Sequence, residues 1–264
     1  MRYEERPAHP PLGAFVKCLW RLRGERGEVD LQPIVPDGGT ELILHLGEPF
    51  LEHGAGVARQ GRALLAATFT RPLSVAAAGD VDVVGVRFRP GGVYPFLTVA
   101  PVEVAELVVP AAEVVARELR AGIGRVEPGA TSSLFLDLER ALVSRLALAG
   151  HDADFDRRLG ALLAGHGDLS ISSLATSSGT SRRQLERQFK ARVGVPPKVL
   201  QRVVRFHRAA SRLLDGGVAL ADLAADLGFS DQAHMNREFR LLAETTPGRY
   251  PRQAGALDRL FAGH

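Results

Sequence analysis

Cysteine occurs once in the 264 residues, at Cys18, so no disulfide can close within the chain and no cysteine-rich metal site can be assembled from it. No run of about 18 apolar residues is present, and no basic-then-apolar leader opens Met1 to Pro11, so neither a membrane span nor a secretory signal is expected. The chain therefore reads as cytoplasmic, in a reducing compartment. Lysine is scarce as well, with three residues against thirty arginines in a chain rich in alanine, glycine, valine and leucine. That imbalance is a compositional bias, so arginine abundance carries no functional information by itself. Only the placement of the charges does.

The placement is uneven. Residues 1–150 hold 16 basic and 18 acidic side chains (net −2), whereas residues 151–264 hold 17 and 12 (net +5). The length suits two domains, and the boundaries expected are 1–150, 151–254 and a short tail at 255–264. Between Ser181 and Arg212 ten Lys or Arg side chains meet one acid, Glu186. A polyanion along one face gives such like charges a reason to be crowded, because each neutralised phosphate releases counterions and adds affinity.

The first half reads as strands followed by helices. Phe15 to Arg23 alternates apolar and polar residues, Pro33 to Gly39 breaks the chain, and Glu41 to Leu46 resumes the alternation, which is a strand–turn–strand signal. Ala63–Phe69, Leu73–Ala78 and Val81–Phe88 are further short apolar runs bounded by Gly, Pro or Asp, as in a small barrel or sandwich. Helical periods follow, over Ala111 to Leu119 and over Ser132 to Leu148, where Leu134, Leu138, Leu142 and Leu146 recur every four residues. So wide an apolar face either packs on the barrel or pairs with a second copy of the chain. Glu41, His45 and His53 fit no closed ligand spacing, so no metal or other cofactor is expected, and Cys18 has no neighbouring base to make it a nucleophile.

The second half carries the sharper pattern. Asp152 and Asp154 suit the start of a helix running to Gly165, and Ser170 can cap the next. After Gly179-Thr180, Ser181-Arg182-Arg183-Gln184 forms a capping box, with Leu185, Phe189 and Val193 as the buried edge of the new helix. Helix, short glycine-containing turn, helix is the helix-turn-helix signature, and Arg182, Arg183, Glu186 and Arg187 point away from the buried edge as candidates to read base edges in a major groove. The pattern recurs. Leu174, Gly179 and Ser181 correspond to Leu223, Gly228 and Ser230 at an offset of 49, and Leu185, Arg187 and Phe189 to Met235, Arg237 and Phe239 at an offset of 50. Pro196 to Leu214 lies between the two units as a helix with proline in its first turn.

These residues resemble the DNA-binding domain of the AraC-type (arabinose-regulator-like) bacterial transcription factors. The resemblance covers about Asp168 to Arg252 and rests on Ser-Arg-Arg-Gln-Leu-Glu-Arg-Gln-Phe-Lys at 181–190, Val-Gly-Val-Pro-Pro at 193–197, Leu-Gly-Phe-Ser-Asp-Gln at 227–232 and Thr246-Pro247 with Tyr250 and Arg252. It implies seven helices, with base contacts at Arg183, Glu186 and Arg187 in the first unit and at Gln232, Asn236 and Arg237 in the second. Three positions depart from the family pattern: Met235 stands where an aromatic is usual, Glu244 where a glycine is usual, and Ala219 offers no cap. Val-Pro-Asp-Gly-Gly-Thr-Glu at 35–41 and Arg-Phe-Arg-Pro-Gly-Gly at 87–92 resemble a sensory domain found in some members, which implies a small-molecule effector and a pair of dimerising helices.

The expected fold is thus α+β, a small β-barrel or sandwich-like domain with following helices and then an all-α domain of two helix-turn-helix units joined by a long helix. The expected function is sequence-specific regulation of transcription on double-stranded DNA, with RNA polymerase and a second copy of the chain as further partners. Phosphate contacts are expected from Ser181, Lys190, Lys198, Arg205, Arg208, Ser230 and Arg240. An effector pocket is expected around Trp20, Glu41, His45 and Arg87. The competing readings are a DNA-repair alkyltransferase acting through Cys18 and a basic helical module for an acidic protein partner.

Overall fold

A computed structural model describes residues 1–25, 30–54, 56–126, 134–150, 152–165 and 169–262. Ser132, His151 and Asp168, which bounded three of the readings above, lie outside the described residues. Ten strands come first: β1 Arg2–Pro7, β2 Val16–Gly24, β3 Gln32–Ile34, β4 Thr40–His45, β5 Leu51–His53, β6 Val57–Arg59, β7 Ala63–Ala66, β8 Leu73–Ala76, β9 Val81–Phe88 and, after the short helix α1 Pro101–Val104, β10 Val108–Pro110. Helices α2 Ala111–Val114, α3 Arg117–Ile123 and α4 Leu134–Leu146 complete the first half. The second half is helical: α5 Ala153–Ala164, α6 Ile171–Ser177, α7 Arg182–Val193, α8 Pro197–Asp215, α9 Leu220–Asp226, α10 Gln232–Ala243, α11 Tyr250–Gln253 and α12 Ala256–Ala262.

The strands form two antiparallel sheets, a six-stranded one in the order β1-β2-β9-β4-β7-β10 and a four-stranded one in the order β3-β8-β5-β6. The strand–turn–strand expectation is corrected here. β9 sits between β2 and β4, pairing Trp20 with Gly85 on one side and Ile43 with Gly85 on the other. Pro33, expected in the break, lies in β3, an edge strand where a missing N–H costs no ladder bond. The continuous helix expected from Ala111 to Leu119 is two pieces, because Val115 is extended (φ −89°, ψ 151°) and bridges Leu97.

Alternation along β2, β4 and β9 sends residues to two different interiors, since successive side chains in a strand face opposite ways. Leu19, Leu42, Leu44, Val84, Val86 and Phe88 share one core with Leu134, Leu138 and Leu142 of α4. The leucine face of α4 is therefore covered by its own chain, and Arg6 of β1 clasps the buried Glu139 at 2.5 Å. Cys18, Trp20, Leu22, Val81 and Val83 face the second sheet in another core.

The residues expected as a tail, 255–264, include α12, which returns to the first half. Leu257 is buried beside Trp20 and Phe50. Its N–H donates to Gln32 Oε1 at 2.8 Å, and Asp258 Oδ1 accepts from Val35 N at 3.2 Å. The halves meet again at α7, where Thr68 Oγ1 donates to the last-turn carbonyl of Val193 at 3.0 Å, and at α8, where Leu200 and Val204 lie against Gly38.

Candidate nucleic-acid interface and cavity

α7 begins as its sequence dictates. Ser181 accepts from Gln184 N at 3.2 Å while Gln184 Oε1 accepts from Ser181 N at 3.0 Å, so both exposed donors of the first turn are satisfied. The helix ends at Gly194 with φ 94°, a left-handed conformation that glycine adopts without a side-chain clash. α10 starts on Asp231, whose Oδ1 accepts from His234 N at 2.5 Å, and ends on Glu244 at φ 53°. Asp231 and Glu244 lie fifty positions after Ser181 and Gly194. Gly179 (φ 62°) and Gly228 (φ 69°), which make the turns, are forty-nine apart. The added residue therefore falls in the second turn, between Gly228 and Asp231, where it lengthens the loop and leaves the helix register intact.

Burial repeats with the same spacing. Leu185, Phe189 and Val193 are buried on α7, and Met235, Phe239 and Ala243 on α10. Phe189 packs edge-on against Phe155, and Phe239 against Phe206 of the long helix. On the outer faces Arg182, Arg183, Arg187 and Lys190 are exposed on α7, as are Gln232, Arg237 and Arg240 on α10, with Glu186 and Asn236 half-buried. The first half of the chain covers neither face. Arg182 and Glu186 pair at 3.0 Å across one helical turn. Ser181, Ser230 and Lys198 are also exposed, with Lys198 Nζ donating to Gln201 Oε1 at 3.0 Å. α8 has nineteen residues, so it spans roughly 28 Å at about 1.5 Å per residue. Arg202 of α8 holds Glu238 of α10 at 2.9 Å and so ties the bar to the second unit.

Two expected phosphate contacts are corrected. Arg205 is 6% exposed, donates to Gly228 O at 2.9 Å and lies over the Phe229 ring at 4.9 Å, so it braces the second turn from inside. Arg208 donates to the carbonyls of Leu163 and Gly165 at the end of α5. In a heptad-like run of arginines, composition does not separate a solvent-facing guanidinium from one that caps a neighbouring helix. The buried apolar residues near Arg205 on α8, Val203 and Phe206, are the signal that could have marked it as interior.

The second site is a cavity of about 110 Å³ between the sheets. Trp20, Glu41 and Arg87 of the expected pocket line it. His45 does not. Its ring packs on Phe50 and bonds Gln60 at 3.2 Å, and burial lowers its pKa to about 4. Sequence reasoning also missed the contributions from the other half of the chain, His207 of α8 with Leu257 and Asp258 of α12. Arg87 and Glu41 pair at 2.5 Å. Burial raises the pKa of Glu41, against the opposing pull of Arg87, while burial opposes the Arg87 charge and is outweighed by Glu41 and Asp37. Burial raises the Cys18 thiol to about 11, which favours its protonated form near neutral pH. No helix among the described residues is long and apolar enough to cross a membrane.

Comparison with known proteins matches two separate segments of the chain. Residues 174–253 match a helix-turn-helix domain, and residues 4–110 match a domain of unknown function (DUF6597). The HTH-type transcriptional regulator MtrA of Neisseria gonorrhoeae is 27% identical over 105 residues, 38% of this chain and 35% of that regulator, so the chain spans about a third of its length. Probable transcription factor PqrA of Proteus vulgaris is 33% identical over 82 residues, 31% of this chain and 67% of that protein. A crystal structure of ToxT from Vibrio cholerae shares the fold, with a TM-score of 0.51 at 9% identity over 90% of this chain and 99% of that one. With the duplicated helix pair matched over most of a small regulator, the chain belongs to the AraC-type family of helix-turn-helix proteins.

Proposed function

We propose that the protein is a sequence-specific DNA-binding transcriptional regulator controlled by a small molecule in the cavity of its N-terminal half. One observation carries the reading: α7 and α10 repeat the same buried edge and present basic outer faces, fifty residues apart, with α10 held on α8 through Arg202 and Phe206. In this proposal the two helices enter successive major grooves, which repeat every ~34 Å in B-DNA. Arg183, Glu186 and Arg187, then Gln232, Asn236 and Arg237, are the base-reading residues of this proposal, with Arg182 beside them. Ser181, Lys190, Lys198, Ser230 and Arg240 hold phosphates. Control by a ligand requires different affinity for two states of the protein. The cavity supplies a route, because its walls include α8 and α12 as well as both sheets.

The test is selection of a duplex from a randomised pool, followed by binding titrations with variants. Arg187→Ala is expected to relax preference at one base pair by about 1–3 kcal/mol, the worth of a bidentate arginine on guanine. Lys190→Ala is expected to weaken specific and scrambled duplex alike and to lower the salt slope by about one. Equal losses on both duplexes for both variants would remove the base-reading role, and failure to enrich any sequence would favour the acidic-protein partner instead.

A further inference from the structure

The walls of the cavity are apolar at Trp20, Phe50, Val83 and Leu257, yet three carboxylates open onto it, Asp37, Glu41 and Asp258, against one guanidinium, Arg87. Glu41 and Arg87 answer each other at 2.5 Å. Asp37 and Asp258 have no ion-pair partner among the described residues. Asp37 Oδ1 accepts from Gly39 N at 2.8 Å, and Asp258 accepts from Val35 N at 3.2 Å and from the Tyr250 hydroxyl at 3.5 Å. His207 reaches the same cavity from α8 with no hydrogen bond to any described residue. Burial lowers its pKa, opposed by Asp37 and assisted by Lys17 and Arg87. Asp37, His207 and Asp258 all line this cavity, and Asp258 is bonded to Val35, two residues before Asp37.

An apolar enclosure with a surplus of negative charge is costly to maintain unless a cation completes it. An anionic ligand would add to the surplus, and the one guanidinium is already engaged by Glu41. The indole of Trp20 and the ring of Phe50 supply faces of the kind that attract a cation. We propose that the cavity binds a small organic ammonium ion, with its charged head among Asp258, Asp37 and His207 and its apolar body against Trp20 and Phe50. The inference rests on the reading of the cavity as a ligand site. The volume of about 110 Å³ is of the order of the roughly 150 Å³ that accommodates benzene in an engineered cavity, so the body is about one ring in size.

Trp20 is the only tryptophan of the chain, so its emission reports occupancy. The full chain, without DNA and at neutral pH, is titrated with benzylammonium, benzyl alcohol and benzoate, three molecules of nearly one shape. Benzylammonium is expected to bind at least about tenfold more tightly than the other two. Asp258→Asn retains an oxygen for Val35 N and is expected to lose about tenfold of the ammonium affinity while leaving the alcohol unaffected. Asp37→Asn, at a site away from α12, is expected to move affinity in the same direction, and a thermal shift of Trp20→Phe by the ammonium checks occupancy without the reporter. Benzoate or alcohol binding as tightly as the ammonium overturns the proposal, as does no saturable binding by any of the three. An ammonium complex with unchanged affinity for the selected duplex upholds the ligand class and removes the effector role instead.

Discussion

At the scale of the residue, two positions show how an interior contact outranks the type of side chain. Arg205 carries a charge that composition assigns to the DNA face, yet its guanidinium holds the Gly228 carbonyl and covers Phe229. Arg205→Ala is expected to lower stability by about 2 kcal/mol, since it leaves a carbonyl without its donor and strips a cation from a ring. Denaturant unfolding checks this, and a stability loss under a few tenths of a kcal/mol would return Arg205 to the surface role. Gly85 is the second case. A Cβ there would stand 2.2 Å from the Trp20 ring, so the indole lies across β9 only because position 85 has no side chain. Gly85→Ala is expected to cost about 1–3 kcal/mol by overpacking and to shift the Trp20 emission. An unchanged melting temperature and spectrum would show that the ring has room to move.

At the scale of the element, local signals were legible wherever a few consecutive residues decide the outcome. The capping box of Ser181 and Gln184, the Asp152 and Ser170 caps and the proline start of α8 can all be read from neighbours in the chain. The strands were legible as strands but their partners were not, because β9 reaches its place between β2 and β4 through contacts some forty to seventy residues distant. The same limit hid half of the cavity: nothing near His207 or Asp258 announces that strands from the other end of the chain face them. An irregular cap makes a prediction at this scale. Glu244 ends α10 at φ 53°, where Gly194 ends α7 at φ 94°. A residue with a Cβ is strained there by roughly 1 kcal/mol. Glu244→Gly is expected to recover about 0.5–1 kcal/mol net of the added freedom of the unfolded chain. Equilibrium unfolding that showed Glu244→Gly to be less stable would mean that the Glu244 side chain contributes more than its backbone costs.

At the scale of the whole molecule, Asp258 joins the last helix to the first sheets, and its ionisation links pH to stability and to the cavity. It is 2% exposed, and burial raises its pKa to about 6, with Val35 N–H and the Tyr250 hydroxyl favouring the charged form less strongly than burial disfavours it. In the unfolded chain the same carboxyl has an ordinary value near 3.9. Above pH 6 both states are ionised, and only the native state bears the cost of keeping the charge buried. As pH falls from about 6 to about 4 the native carboxyl takes up its proton first, so the cost is relieved and stability rises from this group. The span of about two units corresponds to roughly 3 kcal/mol at most. His45 and His207 act in the opposite sense, since burial lowers both. They are common to the wild type and to Asp258→Asn, so the difference between the two proteins isolates Asp258. That variant is expected to be the more stable by up to about 3 kcal/mol above pH 7, with the gap closing toward pH 4, as measured by denaturant unfolding across that range. A pH-independent gap would show that Asp258 acts through its hydrogen bonds alone. If an ammonium ion relieves the same cost, its stabilisation of the wild type should be greatest above pH 7 and fade as the carboxyl protonates, following the same pH dependence as the Asp258→Asn advantage.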